Sequence, residues 1–214
     1  MTEQQHPRLD FDAFYRGEAP ADGVPAAATV PWDTKAPKEN VIGWCAQGLV
    51  EGAVLDVGCG LGDNAVYLAQ QGFAVTGVDI SPTAVRIATD RASDAGVDVA
   101  FAVADATALD GYTAAFDTVV DSGMFHCLGD ADRRAYLVAA HRATRGGARL
   151  LLSCFSDANP TDPTRPVPNV AEAYLREALP AAGWQIESVT PATVRRDGWG
   201  GDMHFFYVHA RRQE

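Results

Sequence analysis

The feature that most constrains this 214-residue sequence is a run of alternating glycines, Val54-Leu55-Asp56-Val57-Gly58-Cys59-Gly60-Leu61-Gly62-Asp63-Asn64. Residues 53–57 ahead of it read as a buried strand. Residues 64–71 behind it read as a helix that stops at Gly72. Glycine reaches backbone conformations closed to other residues and lets a ligand lie against bare main chain. A strand that turns through glycines into a helix belongs to an open parallel sheet, where ligands gather beyond the carboxyl ends of the strands.

The spacing excludes two common ligands. A dinucleotide fingerprint needs GxGxxG or GxGxxA, but here the third glycine comes one place early and Asp63 stands in its position. A carboxylate at a helix start repels a pyrophosphate seated there. No GK[ST] follows, so a P-loop is absent as well. The loop suits a nucleoside ligand without phosphate. Asp79 closes the next apolar run, 23 residues after Asp56, where an acid can accept both ribose hydroxyls. Asp105-Ala106 follows Phe101-Ala102-Val103, and a carboxylate there can accept an adenine amino proton.

The same alternation continues along the chain. Residues 74–78 read as a second strand, and Ser81-Pro82 opens a helix carrying Ala84, Ala88 and Ala92 on one face. Residues 99–103 and 116–120 read as strands, 130–144 as a helix and 149–155 as a fifth strand. Strand and helix in turn imply a parallel sheet with right-handed crossovers. Four of the twelve prolines fall between Pro20 and Pro37 and four between Pro160 and Pro168, so both stretches read as loops. After the second comes a helix over 170–182, then extended runs over 184–194 and 203–210 joined by a hairpin at 196–202.

The 28 acidic against 17 basic residues, a net charge of −11, argue against nucleic acid and anionic membrane as partners. The amino terminus is polar, and no apolar run approaches the ~18–20 residues a bilayer needs, so the expected location is cytoplasmic. Cys45, Cys59, Cys127 and Cys154 show no CxxC spacing and the five histidines no metal-ligand pair, so no metal is expected. Oligomeric state is left open.

The glycine loop, Asp79 and Asp105 together resemble the class I S-adenosylmethionine-dependent methyltransferases, over roughly residues 54–155. The resemblance implies an α/β fold, a Rossmann-like seven-stranded, mostly parallel sheet with helices on both faces and the last strand antiparallel. It also implies S-adenosylmethionine as cofactor. Carried onto this chain, the cofactor contacts fall on Trp32, Asp56, Gly58, Cys59, Gly60, Gly62, Asn64, Asp79, Ile80, Asp105, Ala106 and Asp121. Phe14-Tyr15-Arg16-Gly17 and Val30-Pro31-Trp32-Asp33 resemble the thiol, thiopurine and heterocyclic-toxin methyltransferases, in which such a segment covers the cleft. FDTVVDSGMFHCL, residues 116–128, looks particularly like the mycobacterial heterocyclic-toxin members and related thiol methyltransferases. The expected division is an amino-terminal arm and lid over 1–37 and a methyltransferase domain over 38–214.

His126, just past the fourth strand, is the candidate general base, against a packing role. His141 within a helix reads as structural and His204 as a weaker candidate. Phe14, Tyr15, Phe125 and Trp199 are expected at the acceptor pocket. Trp32 is a lid residue or a packed aromatic, and Asp121 a turn cap or a contact to the methionine end. The expected acceptor is a small-molecule thiol, in detoxification or secondary metabolism, because a thiol near pKa 8.5 needs no strong base. The alternatives are O-methylation of a phenol, quinolone or N-hydroxy heterocycle, a nicotinamide-linked dehydrogenase, and a non-catalytic cofactor-binding domain.

Overall fold

The computed structural model describes residues 9–160, 167–196 and 201–213. Helices α1 (Phe11–Arg16) and α2 (Glu39–Ala46) lead into β1 (Ala53–Val57), α3 (Asp63–Gln70), β2 (Ala74–Asp79), α4 (Pro82–Asp94) and β3 (Ala100–Val103). Then follow β4 (Phe116–Ser122), a 3₁₀ turn (Phe125–Cys127), α5 (Asp130–Ala143), β5 (Thr144–Phe155), α6 (Glu172–Ala181), β6 (Trp184–Arg196) and β7 (Gly201–Arg212). The strands form one seven-stranded sheet in the order β3-β2-β1-β4-β5-β7-β6. The pairs among β1 to β5 are parallel, and β7 runs antiparallel between β5 and β6.

Alternation along the central strands divides their side chains between two cores. Leu55, Val119, Leu150 and Leu152 belong to one, with Tyr136 and Leu137 of α5 and Leu175 of α6. Val54, Val120 and Leu151 belong to the other, with Val41 and Trp44 of α2 and Leu68 of α3. Successive strand residues point to opposite faces, so a sheet covered on both sides needs apolar residues at consecutive positions.

Several elements differ from the sequence reading, β5 beginning at Thr144 and β7 spanning Gly201–Arg212. The sixth helix begins at Glu172 rather than at 170, because Val170 donates its N–H to the Phe155 carbonyl and extends the chain beside β5. Helices α1 and α2 had no counterpart in the sequence reading. Asp10 caps α1 by accepting from the Ala13 N–H at 3.2 Å, and Gly17 ends it in the left-handed region. Asp12 of α1 then accepts from Thr83 N at 3.0 Å and from Ser81 Oγ, which fastens α1 to the start of α4. Among the described residues no helix is long and apolar enough to cross a membrane.

Candidate active site

The glycine loop leaves β1 at the carboxyl edge of the sheet. Gly58, Gly60 and Gly62 all have left-handed φ, +67°, +53° and +86°. The residues between them are pinned. Cys59 donates its N–H to the Val78 carbonyl at 3.0 Å, and Gly60 donates to Asp79 Oδ2 at 2.9 Å. Asp79 Oδ1 accepts from Ser81 N at 2.9 Å. The Asp79 carboxylate is 7% exposed, and burial pushes its pKa up despite these donors. Each of its oxygens keeps a further lone pair for a ligand.

A cavity of about 1620 Å³ opens above this edge. A pocket for one small ligand is roughly 300–1,000 Å³, so there is room for two molecules side by side. Gly58, Cys59, Gly60, Asn64, Asp79, Ile80, Asp105 and Ala106 line one half. Asp105 Oδ1 is occupied by the Thr107 N–H and hydroxyl at 2.8 and 2.7 Å. Trp32, Phe14 and Tyr15 also line the cavity. Trp32 Nε1 donates to the Tyr15 hydroxyl at 2.9 Å, and its ring meets Phe14 edge-on at 5.0 Å. A Cβ on Gly60 would come 3.1 Å from the Tyr15 hydroxyl, so this aromatic cluster sits directly on the loop. Lys38 Nζ holds the Trp32 carbonyl at 2.6 Å. Arg91 bridges Asp33 at 3.0 Å and Asp63 at 2.7 Å. The Asp63 charge, which in the sequence argued against a bound pyrophosphate, is therefore compensated by Arg91.

Four expected contacts lie elsewhere. Phe125 does not line the cavity; it is fully buried against Tyr136 and Tyr174, because the 3₁₀ turn directs it into the core and His126 outward. Gly62 faces α4, where its missing Cβ leaves space for Ala88. Asp121 is a turn cap, its Oδ1 accepting from the N–H groups of Gly123, Met124 and Phe125 at 3.2, 2.8 and 3.2 Å. Asp56 lies below the loop, 1% exposed. Trp199 lies outside the described residues.

His126 lines the cavity, 7% exposed, with its ring stacked on Phe155 at 4.0 Å. Its Nδ1 accepts from the Phe155 main-chain N–H at 3.3 Å. The cavity wall beyond it is apolar: Phe155, Met203 and Phe205, with Val167 and Val194. Asn40, Ser122 and Ser153 add hydroxyl and amide groups that the sequence reading did not single out. Asn40 Nδ2 donates to Ser122 Oγ at 3.2 Å. Their shared signal is position: Ser122 and Ser153 are register partners near the carboxyl ends of β4 and β5.

Asp56 and Asp121 end neighbouring parallel strands, and each leaves Oδ2 without a hydrogen-bond partner among the described residues. Burial, with Asp121 and Asp79 nearby, pushes Asp56 up to about 7. Burial raises Asp121 to about 7 as well, against three N–H donors that favour its charged form, so the two acids share at least one proton near neutrality. From about pH 4 to 7 the native state then holds a proton that the unfolded chain has released, and stability falls as pH rises. Asp56→Asn is expected to flatten this fall, measured by urea unfolding at pH 5 and pH 8. An unchanged pH slope in the variant counts against a protonated Asp56.

A family profile described as a methyltransferase domain matches residues 54–147. The chain is 36% identical over 192 residues to the 2-heptyl-1-hydroxyquinolin-4(1H)-one methyltransferase of Mycobacteroides abscessus, covering 89% of this chain and 82% of that protein. The chain belongs to the class I S-adenosylmethionine-dependent methyltransferases. This methyltransferase also resembles a structure reported with the conversion of a disulfide bond into a thioacetal group during echinomycin biosynthesis. That likeness has a TM-score of 0.83 and 37% identity, and covers 95% of this chain and 90% of the other. A third likeness is the Burkholderia thailandensis 1,6-didemethyltoxoflavin-N1-methyltransferase, solved with its substrate and S-adenosylhomocysteine. Here the TM-score is 0.65 and the identity 26%, over 85% of this chain and 80% of that one. The enzyme uses S-adenosylmethionine and acts on a small molecule. The residues present fit that cofactor: a braced carboxylate for a diol, a glycine loop that leaves bare main chain for a nucleoside, and a cavity that continues past it.

Proposed function

We propose that this methyltransferase modifies an acidic heteroatom on a flat, largely apolar ring, with the hydroxyl of an N-hydroxy heterocycle as the leading acceptor. The observation that carries this reading is the aromatic wall of Phe155 and Phe205 with Met203, continuous with the cofactor half of the cavity. The relative named for a 1-hydroxyquinolone supports it. A thiol is the second reading, supported by the likeness to the thioacetal-forming system.

In this reading Asp79 takes the ribose hydroxyls, and Ile80, Asp105 and Ala106 frame the adenine. The main chain at Gly58–Gly60, with Asn64, carries the rest of the cofactor. When bound, S-adenosylmethionine supplies a methyl carbon made electrophilic by its sulfonium. The chain's own task is to align an acceptor lone pair with that carbon and to exclude water, and such orientation can supply roughly 7–11 kcal/mol. Residues 9–37, through Tyr15 and Trp32, form the cover that excludes water.

The test is a panel of 1-hydroxyquinolin-4-one, an aryl thiol and a simple phenol, with products read by mass. The first two are expected to be methylated and the simple phenol at least about tenfold more slowly at neutral pH, being less ionised. Calorimetric titration with S-adenosylhomocysteine separates the two parts of the proposal. Binding without turnover of either acidic acceptor rejects the acceptor class, and absence of binding rejects the cofactor contacts.

A further inference from the structure

We propose, resting on the reading of residues 9–37 as the cover of the cofactor, that Arg91 is the positioning residue that seats this cover on the glycine loop. Arg91 stands in the last turn of α4. Its guanidinium forks onto Asp33, Nη1 donating to Oδ1 at 3.2 Å and Nη2 to Oδ2 at 3.0 Å. The same Nη1 donates to Asp63 Oδ1 at 2.7 Å. Asp33 directly follows Trp32 of the cover, and Asp63 directly follows Gly62 of the loop. One side chain thus joins the cover, the start of α3 and α4.

The clasp is placed to set the depth of the Trp32 ring. Trp32 Nε1 lies 3.9 Å from the Cβ position of Gly60 and donates to the Tyr15 hydroxyl at 2.9 Å. On the far side of the same segment, the Lys38 N–H donates to Asn64 Oδ1 at 2.9 Å, and the Lys38 ammonium holds the Trp32 carbonyl at 2.6 Å. Residues 32–38 are therefore tied to the first turn of α3 directly through Asn64 and by way of Arg91 through Asp63. Helix α1 has its own tie, from Asp12 to Ser81 and Thr83. Loss of Arg91 is then expected to loosen residues 32–38 while α1 stays docked.

Charge makes this more than a packing contact. Two carboxylates share one guanidinium, and the side chains of Arg91, Asp33 and Asp63 are only 27%, 14% and 23% exposed. Partly buried charges are screened little by salt. Without Arg91, the carboxylate of the cover faces that of α3 with nothing between them, and attraction becomes repulsion. Lysine keeps the charge but cannot fork onto a carboxylate. With the clasp closed, a bound cofactor leaves only after the segment carrying Trp32 lifts, so Arg91 governs how long the cofactor is held.

Two measurements test the proposal: hydrogen exchange over residues 30–38 without cofactor, and calorimetric titration with S-adenosylhomocysteine. Arg91→Met is expected to speed exchange in this segment and to weaken binding about 10–30-fold. Asp33→Asn, which opens the clasp from the cover side alone, is expected to weaken it about 3–10-fold, and Arg91→Lys to stay within about threefold of wild type. The deciding variant combines Arg91→Met with Asp33→Asn. Removal of the repelling carboxylate is expected to recover about threefold or more of the affinity lost in Arg91→Met. A double variant no tighter than Arg91→Met overturns the proposal, because a packing role predicts losses that add. Unchanged exchange in Arg91→Met also overturns it and leaves the cover reading standing. Faster exchange with unchanged affinity overturns it through the cover reading itself.

Discussion

Asp79→Ala is expected to weaken S-adenosylhomocysteine binding by more than about 100-fold. Among the described residues the carboxylate is the acceptor of the Gly60 and Ser81 N–H groups, both at 2.9 Å. Its loss removes the proposed diol contacts and orphans two main-chain donors, at positions where a hydrogen bond to a charged group contributes about 1.5–3 kcal/mol. Two such bonds exceed two powers of ten in affinity. Asp79→Asn keeps one carbonyl acceptor, but its NH₂ faces a main-chain donor, so an intermediate loss is expected. Calorimetric titration decides the matter. An Asp79→Ala protein with a native circular dichroism spectrum and affinity within about threefold of wild type would refute the site.

The second large effect is on stability. Gly62→Ala is expected to cost about 2–5 kcal/mol. Gly62 sits at φ +86°, and a Cβ there would lie 2.9 Å from Ala88 Cβ, 3.1 Å from Phe101 Cζ and 3.2 Å from Ala88 Cα. The last of these is backbone and cannot rotate away. The left-handed conformation contributes about 1–2 kcal/mol and overpacking about 1–3. Gly72 supplies an internal control: its φ is +91°, but no atom comes within 4 Å of its Cβ position. Gly72→Ala is expected to show the conformational cost alone. Urea unfolding of the two variants compares them, and equal losses would refute close packing of the loop on α4. A loss of this size is a large fraction of the roughly 5–15 kcal/mol that holds a typical domain together.

The parallel part of the sheet was legible because it is written locally. Residues 53–57 and 74–79 are short apolar runs, each followed by a glycine loop or an acid, and they are the strands that carry Gly58 and Asp79. Ser81-Pro82 announced α4, and Ser81 caps it by accepting from Ala84 N at 2.9 Å. The acceptor wall was not legible, because it is made by pairing across distance. Phe155 and Phe205 become register partners only when β7 aligns with β5. Phe125 was misplaced because a three-residue 3₁₀ turn has no periodicity to say which of Phe125 and His126 faces inward. Asp56 and Asp121 have the right residue type at the right strand ends, yet burial sets their roles, and burial is a property of the assembled sheet.

The placement of β7 between β5 and β6 has a consequence for the growing polypeptide. On the ribosome, the proposed nucleoside cradle from Gly58 to Asp79 is synthesised early, whereas β6 has no neighbour to join until Gly201–Arg212 emerges. Met203 and Phe205, which shape the proposed acceptor wall, arrive in that final stretch. The nascent enzyme thus completes its general tool before its particular one, and drift in the last-made strand can change the choice of acceptor without disturbing the cradle.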